Sequence, residues 1–569
     1  MAATYHDLHP EASILILDGN PCIGGTWASH RIFPGLKTNN LLGMFEHPDF
    51  PMDEARFAVK KGEHIPAGKM LEYLQAFVEQ SGISGFIRLK TSVQVVEKVE
   101  DGWKLQCLSS SDGKTSSLTT PKLVIAVGNT NKPKMPRYEA SPAFESPILH
   151  SRDFPAQFQA IVKPDAHTLV VGGGKSALDV AYACAQQANA TVTMLIRPSG
   201  IGPHWVSPSH VTPFGLWLEK LVFTRLVDLM SPCPWAPKNG AEGWFRSFLH
   251  GTWIGRKVVG AFWKILGDDV IALNKLHDHP ETEKMVPWRG GFEASNCLSI
   301  HNYPTNFFDL VRDGRVKIEV DEIQSLEAGR EVVLKSGEKL KVDAIVCATG
   351  WEVGSTLQFK PAGLGKELGM PSTAPLSPSE STFIQSTESS LLNTYPTLAR
   401  DTRRINHPDP SLRHTPSLNT TQQPYRLHRF IVPPSHLHAK SIAFAGALYC
   451  LGTFPCAYIQ SLWICAYFDS KLSAPFPAPE EVEETMYRDT QYCVLRAAGG
   501  YGRVAPDMVF DSLSYFDRLC RDLGVERRRK GGAWRLREWV GGYGPQEYLG
   551  LVREWVKNGE KGEEGKKVV

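Results

Sequence analysis

The 11 cysteines of this chain are irregularly spaced and include no C-x-x-C pair. That argues against a dithiol-disulfide reductase and a zinc site, and it fits thiols held reduced in a reducing compartment. Charge of one sign is also lacking. The chain sets 62 Lys and Arg against 60 Asp and Glu, well mixed, for a formal net charge of +2. No nucleic-acid surface is expected from that balance. The N-terminus has no basic region followed by a long apolar run, so no secretory signal is read there, and a cytoplasmic protein is expected. No Ser-His-Asp order and no metal-ligand spacing stands out. One membrane candidate stands out, the 27 residues Ile442 to Phe468, which carry no charge. They are long enough to cross a bilayer. Yet Gly446, Gly452, Pro455 and Gln460 interrupt them, and they divide into a strand-like SIAFAG and a helix starting near Pro455. A buried strand-turn-helix is the better reading.

At 569 residues the chain exceeds what one core can organise, so two or three domains are expected. What is present is clearest at Thr168 to Arg197. Val170 and Val171 end an apolar run without a polar face, as a strand buried on both sides would. Gly172, Gly174 and Ala177 give G-x-G-x-x-A, Ser176 to Ala188 reads as a helix, and Thr191 to Ile196 as a second strand. Strand, glycine turn, helix and strand at this spacing form a dinucleotide-binding unit. Gly172 allows the tight turn, Gly174 lets backbone approach a pyrophosphate, and Ala177 lets helix and strand pack closely. The amides around Ser176 face the phosphates. Arg197 ends the second strand, where an acidic residue would suit NAD and an Arg suits the 2′-phosphate of NADP. Lys175 adds positive charge to the turn.

A second such unit is incomplete. Ser13 to Asp18 reads as a buried strand closing on an acid that would hold a ribose, followed by Gly24-Gly25-Thr26-Trp27. The complete unit supplies a ruler, 25 residues from Gly172 to Arg197. Counted back from Asp18, that length falls before Met1. The first strand and its glycine loop are therefore expected to be missing, with residues 2–9 as the last turns of the helix after that loop. On this reading the chain is a truncated product or a defective protein, poor in flavin, with an unpaired edge at Ile14–Leu17.

The rest of the chain supports an α/β fold with two dinucleotide-binding (Rossmann-like) domains, the second inserted in the first. Gly35 to Met52 reads as a loop, Lys69 to Gln80 as an amphipathic helix, and Phe86–Lys90, Val93–Val99 and Trp103–Cys107 as strands. A polar Ser109–Ser117 turn leads to Leu123–Gly128, and Asp343–Gly350 is a further buried strand. The expected division is 1–160 for the first part of one domain, 161–340 for the inserted domain, 341–480 for the return, and 481–569 for a helical C-terminal region with a disordered tail. Residues 201–300 form a helical insertion rich in Trp, Phe, Leu and basic residues. Packing over the site is the plain reading of that insertion; contact with a membrane surface, such as that of the endoplasmic reticulum, is the sharper one. Residues 372–425, rich in Ser, Thr and Pro, read as a long mobile loop.

Taken together, these residues resemble the flavin-containing monooxygenases, above all their fungal members. Ile23-Gly24-Gly25-Thr26-Trp27 is similar to the I-G-G-x-W segment near FAD, and Thr38-Asn39 with Asp49-Phe50-Pro51 to the T-N…D-F-P loop. Phe144, His150 and Phe154 fit the fingerprint F-x-G-x-x-x-H-x-x-x-(Y/F/W), with Ser146 in place of Gly. Gly172 to Ala177 resembles the NADPH loop, and Ala348-Thr349-Gly350 the segment joining the domains. Ser146 puts a side chain at a position the fingerprint keeps tight. The resemblance implies FAD and NADPH as cofactors, and a small organic substrate oxygenated with O₂ through a C4a-hydroperoxyflavin. It implies Asn39 as the active-site amide, and places Asp18, Gly24, Gly25, Thr26, Trp27, Val93, His150, Thr349 and Gly350 with the cofactors. His150 and Arg152 are expected to position domains and NADP rather than act as acid or base. N- or S-oxygenation or hydroxylation is favoured by Phe154. Baeyer–Villiger oxidation and a silent NADP-binding remnant remain open, and oligomeric state is not readable.

Overall fold

The computed structural model describes residues 1–567 except 213–214, 353–355, 400–405, 415–421, 498–501 and 534. The centre of the second nucleotide unit is a sheet of five parallel strands. Their order is Ile148–His150, Ala344–Cys347, His167–Val171, Thr191–Leu195 and Val316–Glu319. Strands covered on both faces cannot carry a polar face, and Leu169, Val170 and Val171 are all almost wholly buried. Val170, Met194, Ile318 and Val346 face the helix Lys175–Ala185 and its Ala177, Leu178 and Ala181. Leu169, Val171, Leu195 and Ile345 face a small antiparallel sheet through Leu326, Val332 and Leu334.

The first nucleotide unit is built differently. Ile16–Leu17 pairs in parallel with Ile87–Arg88, and Leu123–Ile125 pairs in parallel with Ile442–Phe444. Among the described residues the two pairs are separate sheets. The expected buried strand Ser13–Asp18 is thus a two-residue strand, half-buried, with Leu15 exposed. A strand hydrogen-bonded on one edge only has little to hold its neighbours extended, which accounts for the shortening. The helix Ala2–Leu8 is present and packs on Thr453–Phe468. Beside these lies the antiparallel sheet Thr91–Val99, Gly102–Ser109 and Thr115–Thr120, with Gln358–Lys360 on its outer edge.

The Ile442–Phe468 run folds as a buried strand, Ile442–Phe444, a turn, and the helix Thr453–Phe468. Pro455 falls in the first helical turn, where the missing N–H costs nothing. The Gln460 amide oxygen accepts from the Gly446 N–H at 3.0 Å. Among the described residues no helix is long and apolar enough to cross a membrane.

Three expectations are corrected. Residues 37–41 are a strand, paired with His64–Pro66, and not part of a loop. Within 372–425, Pro378–Thr394 is a 17-residue helix. Its Ser377-x-x-Glu380 capping box satisfies the first amides reciprocally, and Ile384 and Leu391 are buried; 400–405 and 415–421 lie outside the described residues. The C-terminal tail continues as the helix Leu551–Lys567. The insertion is mainly helical, with Leu218–Val222, Arg225–Asp228, Gly240–Gly251 and Trp253–Leu273, and it packs on Ser512–Leu523 and Leu536–Val540.

Candidate functional site

Asn39 lies in the middle of the strand Lys37–Leu41. Its Oδ1 accepts the Ile300 N–H at 2.6 Å. Only an oxygen can accept there, so the amide orientation follows, and the Asn39 NH₂ group is the end left to donate. The strand is gripped along its length. The buried Thr38 hydroxyl donates to the Asn40 carbonyl at 2.6 Å and accepts from Ile65 N–H at 2.9 Å. Asn302 Nδ2 donates to the carbonyls of Lys37 and Thr38 at 3.1 and 3.2 Å. Glu219 accepts from Asn40 Nδ2 at 2.6 Å and Leu41 N–H at 3.0 Å. Asn302, Ile300 and Glu219 all come from the 201–302 segment. Sequence reading passed over them because a contact spanning 178 to 265 residues leaves no local pattern.

A cavity of about 170 Å³ opens beside this strand. Asn39, Asn40, Glu219, Asn296 and Tyr449 form its polar wall; Leu218, Val222, Leu298, Ile300 and Val509 form its apolar wall. Two larger cavities, about 1000 and 550 Å³, share no lining residue with it.

The second nucleotide loop has the geometry expected of it. Gly172 has φ +145°, and a Cβ there would stand 2.5 Å from the Ala348 carbonyl oxygen. Ala348 N–H in turn donates to the Val171 carbonyl at 2.9 Å, so the Ala348-Thr349-Gly350 segment seats against the loop. Gly174 caps the helix Lys175–Ala185, Ala177 is fully buried, and Ser176 is exposed in the first turn. Ala177 and Leu178 N–H donate to the Gly174 carbonyl at 3.0 and 3.2 Å, which leaves the Lys175 and Ser176 amides to form an anion cradle. His204 sits against Gly174, and burial pushes its imidazole down to about 4, so it is neutral.

Arg197 is exposed at the strand end, and no carboxylate stands within ion-pair distance of it among the described residues. Glu322, whose charge it feels, is taken by Lys335 Nζ at 2.6 Å and the Ser199 hydroxyl at 2.9 Å. Lys175 requires a correction. Its ammonium is paired with Asp179 and donates to Asn302 Oδ1 at 2.9 Å and Tyr303 Oη at 3.1 Å. Its charge is met inside the protein, and the residue links the nucleotide helix, through Asn302, to the Asn39 strand.

His150 is buried, and Nε2 donates to the Gly350 carbonyl at 2.9 Å while Nδ1 accepts the Arg152 N–H at 3.1 Å. Burial holds its pKa below the usual value, so the neutral ring ties the fingerprint to the joining segment. Thr349 Oγ1 donates to the Lys134 carbonyl at 2.5 Å. Phe154 is fully buried in an edge-to-face cluster with Phe33 and Phe158.

At the first nucleotide unit, Asp18 Oδ1 accepts from the Asn20 N–H and Nδ2 at 2.9 and 2.8 Å. Thr91 N–H donates to the Asp18 carbonyl at 2.9 Å, which starts the strand containing Val93 beside it. Gly24 and Gly25 take φ +116° and +57°, and Gly25 and Thr26 are exposed while Trp27 is half-buried. Arg31, which sequence reading did not single out, stacks 5.1 Å over Trp351 and donates to the Thr130 carbonyl at 3.3 Å. The two nucleotide units offer unequal donor sets. A pyrophosphate at the second would find a complete glycine turn and helix N-terminus. A nucleotide at the first would find the acid Asp18, the Gly24-Gly25 pair and the Arg31–Trp351 pair.

Comparison with known proteins follows the same lines. The family described as pyridine nucleotide-disulphide oxidoreductase matches residues 11–219. An FAD-dependent monooxygenase (rstn6) of Aspergillus nomiae is 31% identical, the match covering 98% of this chain and 95% of the relative. Another (resA), of Aspergillus sclerotiorum, is 30% identical over 98% of this chain and 96% of the relative. Among solved structures, the cyclohexanone monooxygenase of Rhodococcus sp. Phi1 bound to NADP⁺ is 16% identical with a TM-score of 0.54, over 98% of this chain and 95% of that one. That likeness shows a shared fold.

Proposed function

The chain belongs to the FAD-dependent monooxygenases, and on that premise we propose that it transfers one oxygen atom of O₂ to nitrogen or sulfur, or hydroxylates carbon, in a small molecule bound beside Asn39. Bound NADPH and FAD supply the hydride and the activation of O₂; every other task falls to the chain. The first-turn amides of Lys175–Ala185 would hold the NADPH pyrophosphate, and Arg197 its 2′-phosphate. Asp18 would hold the flavin ribose, and the Gly24–Trp27 segment with Val93 would flank the flavin nucleotide. Thr349 and Gly350, tied to Lys134 and His150, keep the two nucleotide sites in register.

The observation that supports this reading best is the oriented amide of Asn39. Its oxygen is committed to Ile300 and its NH₂ group is left to donate at the wall of the cavity. A neutral donor steadies an oxygen atom without delivering a proton to it. The apolar wall opposite limits water. Phe154 supports oxygenation at a heteroatom. Turnover of dimethylaniline, thioanisole and cyclohexanone separates the chemistries: N-oxide or sulfoxide supports the proposal, whereas a lactone would establish Baeyer–Villiger oxidation instead. Asn39→Leu is expected to leave NADPH consumption intact while hydrogen peroxide replaces product; unchanged product per NADPH would reduce Asn39 to a structural amide.

We also propose that the enzyme is cytoplasmic and rests on a membrane surface through the hairpin Gly240–Gly251 and Trp253–Leu273. Trp244, Trp253 and Ile265 are 63%, 67% and 68% exposed there, with Phe245, Ile254 and Val258 beside them. Arg256, Lys257 and Lys264 accompany them, and Lys257 lies over the Trp253 ring. Exposed aromatics with basic residues suit an anionic lipid interface. Co-sedimentation with vesicles containing phosphatidylserine, reduced by Trp244→Ser with Trp253→Ser, is the expected outcome; no sedimentation of the wild type would refute it.

A further inference from the structure

We infer that Glu219 is a positioning residue for Asn39, a buried carboxylate by which the insertion holds the active-site strand in place; this rests on the reading of Asn39 given above. Glu219 is in the first turn of Leu218–Val222 and 1% exposed. Burying a carboxylate is costly unless its charge is met. No cation lies within ion-pair distance of it among the described residues, and burial pushes its pKa above the usual carboxylate value. What meets it is three converging N–H groups. Oε1 takes Asn40 Nδ2 at 2.6 Å, and Oε2 takes Leu41 N–H at 3.0 Å and Trp217 Nε1 at 3.1 Å. Two of the three donors belong to the residues that directly follow Asn39.

The placement gives this arrangement its consequence. The Asn39 side chain is fixed by Ile300 N–H, and the backbone just beyond it is fixed by Glu219; both anchors come from the insertion. Glu219 and Asn39 line the same cavity. An apolar residue in place of Glu219 would leave Asn40 Nδ2 and Leu41 N–H buried without acceptors, and the strand would shift to satisfy them. A shift of about 1 Å at a reacting centre is enough to lose roughly a hundredfold in rate. The insertion thereby acts as the frame of the site as well as its cover.

Glu219→Gln keeps the shape, but its amide nitrogen faces donors and it can serve only one side. Trp217→Phe removes one donor and loosens the clamp more gently. Both are measured beside Asn39→Leu, by hydrogen peroxide released per NADPH oxidised without added substrate, together with flavin content, melting temperature and the KM for NADPH. Glu219→Gln is expected to raise peroxide release roughly tenfold, and Trp217→Phe about twofold to threefold, as partial misplacement of the site, with KM and flavin content unchanged. If Asn39→Leu uncouples and both other variants remain coupled, Glu219 is not a positioning residue although Asn39 keeps its role. If Asn39→Leu stays coupled, the reading of Asn39 and this inference fall together. If Glu219→Gln acts only by lowering melting temperature and flavin content, its role is general stability and the inference is wrong; Trp217→Phe, a surface-side loosening, then shows the same pattern.

Discussion

The five-stranded nucleotide sheet and the helical block opposite it bury their side chains in contrasting ways. In the sheet the core is aliphatic: Leu169, Val170, Val192, Met194, Ile318 and Val346 are each almost fully buried, and the buried polar side chains of its strands are the hydroxyls of Thr168 and Thr193 and the ring of His150, with no ion pair among them. In the block, charges lie in the interior. Arg225 donates from Nε to Glu538 at 2.6 Å, from Nη1 to Asp517 at 2.5 Å, and from Nη2 to Asp517, the Arg527 carbonyl and Tyr543 Oη. Arg246 pairs with Asp228 at 2.7 Å, and Arg518 with Asp489. An aliphatic core tolerates any packing of about the right volume. A hub of buried ion pairs tolerates one arrangement, because a partner out of place leaves a buried charge unmet. The block therefore specifies how the insertion docks on the C-terminal helices, and hence where Glu219, Ile300 and Asn302 meet the strand Lys37–Leu41.

The largest effect should come from breaking the hub. Arg225→Met leaves Asp517 and Glu538 buried and unpaired, which costs about 3–5 kcal/mol. Leu169→Ala in the sheet should cost about 2–5 kcal/mol through its cavity. The two losses differ in how they are repaired. Adding Asp517→Leu and Glu538→Met to Arg225→Met is expected to recover most of the stability lost. No change elsewhere in the sheet does so for Leu169→Ala. Thermal melts of these variants decide the matter: a triple variant no more stable than Arg225→Met would mean that shape, and not charge, holds the block together.

A smaller effect tests the opposite situation, a charge left unpaired at the end of an interior strand. Arg197→Ala is expected to weaken NADPH by about 1.5–3 kcal/mol, roughly ten- to over a hundredfold, with NADH nearly unchanged. Equal losses for both cofactors would show that Arg197 supports the loop and does not read the 2′-phosphate. Lys175, only three residues beyond Gly172, should not behave this way, since Asp179 already holds its charge.

How far each region could be read beforehand follows from the same contrast. The sheet and its glycine turn were legible because buried parallel strands and a helix N-terminus impose local patterns. His167–Val171, Lys175–Ala185 and Thr191–Leu195 lie within a few residues of their expected bounds. The block was legible only as helices, since Arg225 finds Asp517 and Glu538 at separations of 292 and 313 residues. At the site, Asn39 was found through a family motif, but its setting was misjudged as a loop. Lys37-Thr38-Asn39-Asn40 has no alternation because the strand is held partly by its pairing with His64–Pro66 and partly by side chains from elsewhere, Asn302 and Glu219 among them. The helix Pro378–Thr394 was missed because Ser and Thr dominate it, although its capping box was visible in the letters Ser377 and Glu380.

The smallest expected effect concerns Ser146, where the family fingerprint has Gly. A side chain added at a tight turn would ordinarily strain the backbone, so restoring the Gly would be expected to relax it. The structure argues for the reverse. Ser146 is buried, and its hydroxyl donates to the Val342 carbonyl at 2.6 Å. Val342 lies two residues before the strand Ala344–Cys347, which pairs with Ile148–His150. The hydroxyl thus fastens the outermost pair of strands in the aliphatic sheet by the kind of fixed polar contact that otherwise typifies the helical block. Ser146→Gly removes that bond and frees the backbone, so it should destabilise by about 0.5–1.5 kcal/mol for the hydrogen bond and up to about 1 kcal/mol more for chain entropy. Ser146→Ala separates the two terms, since it loses the bond and keeps the entropy. Melting curves in which Gly falls below Ala and Ala falls below the wild type are expected. A glycine variant that melts above the wild type would show that Ser146 strains the fingerprint, and that the bond to Val342 only partly relieves it.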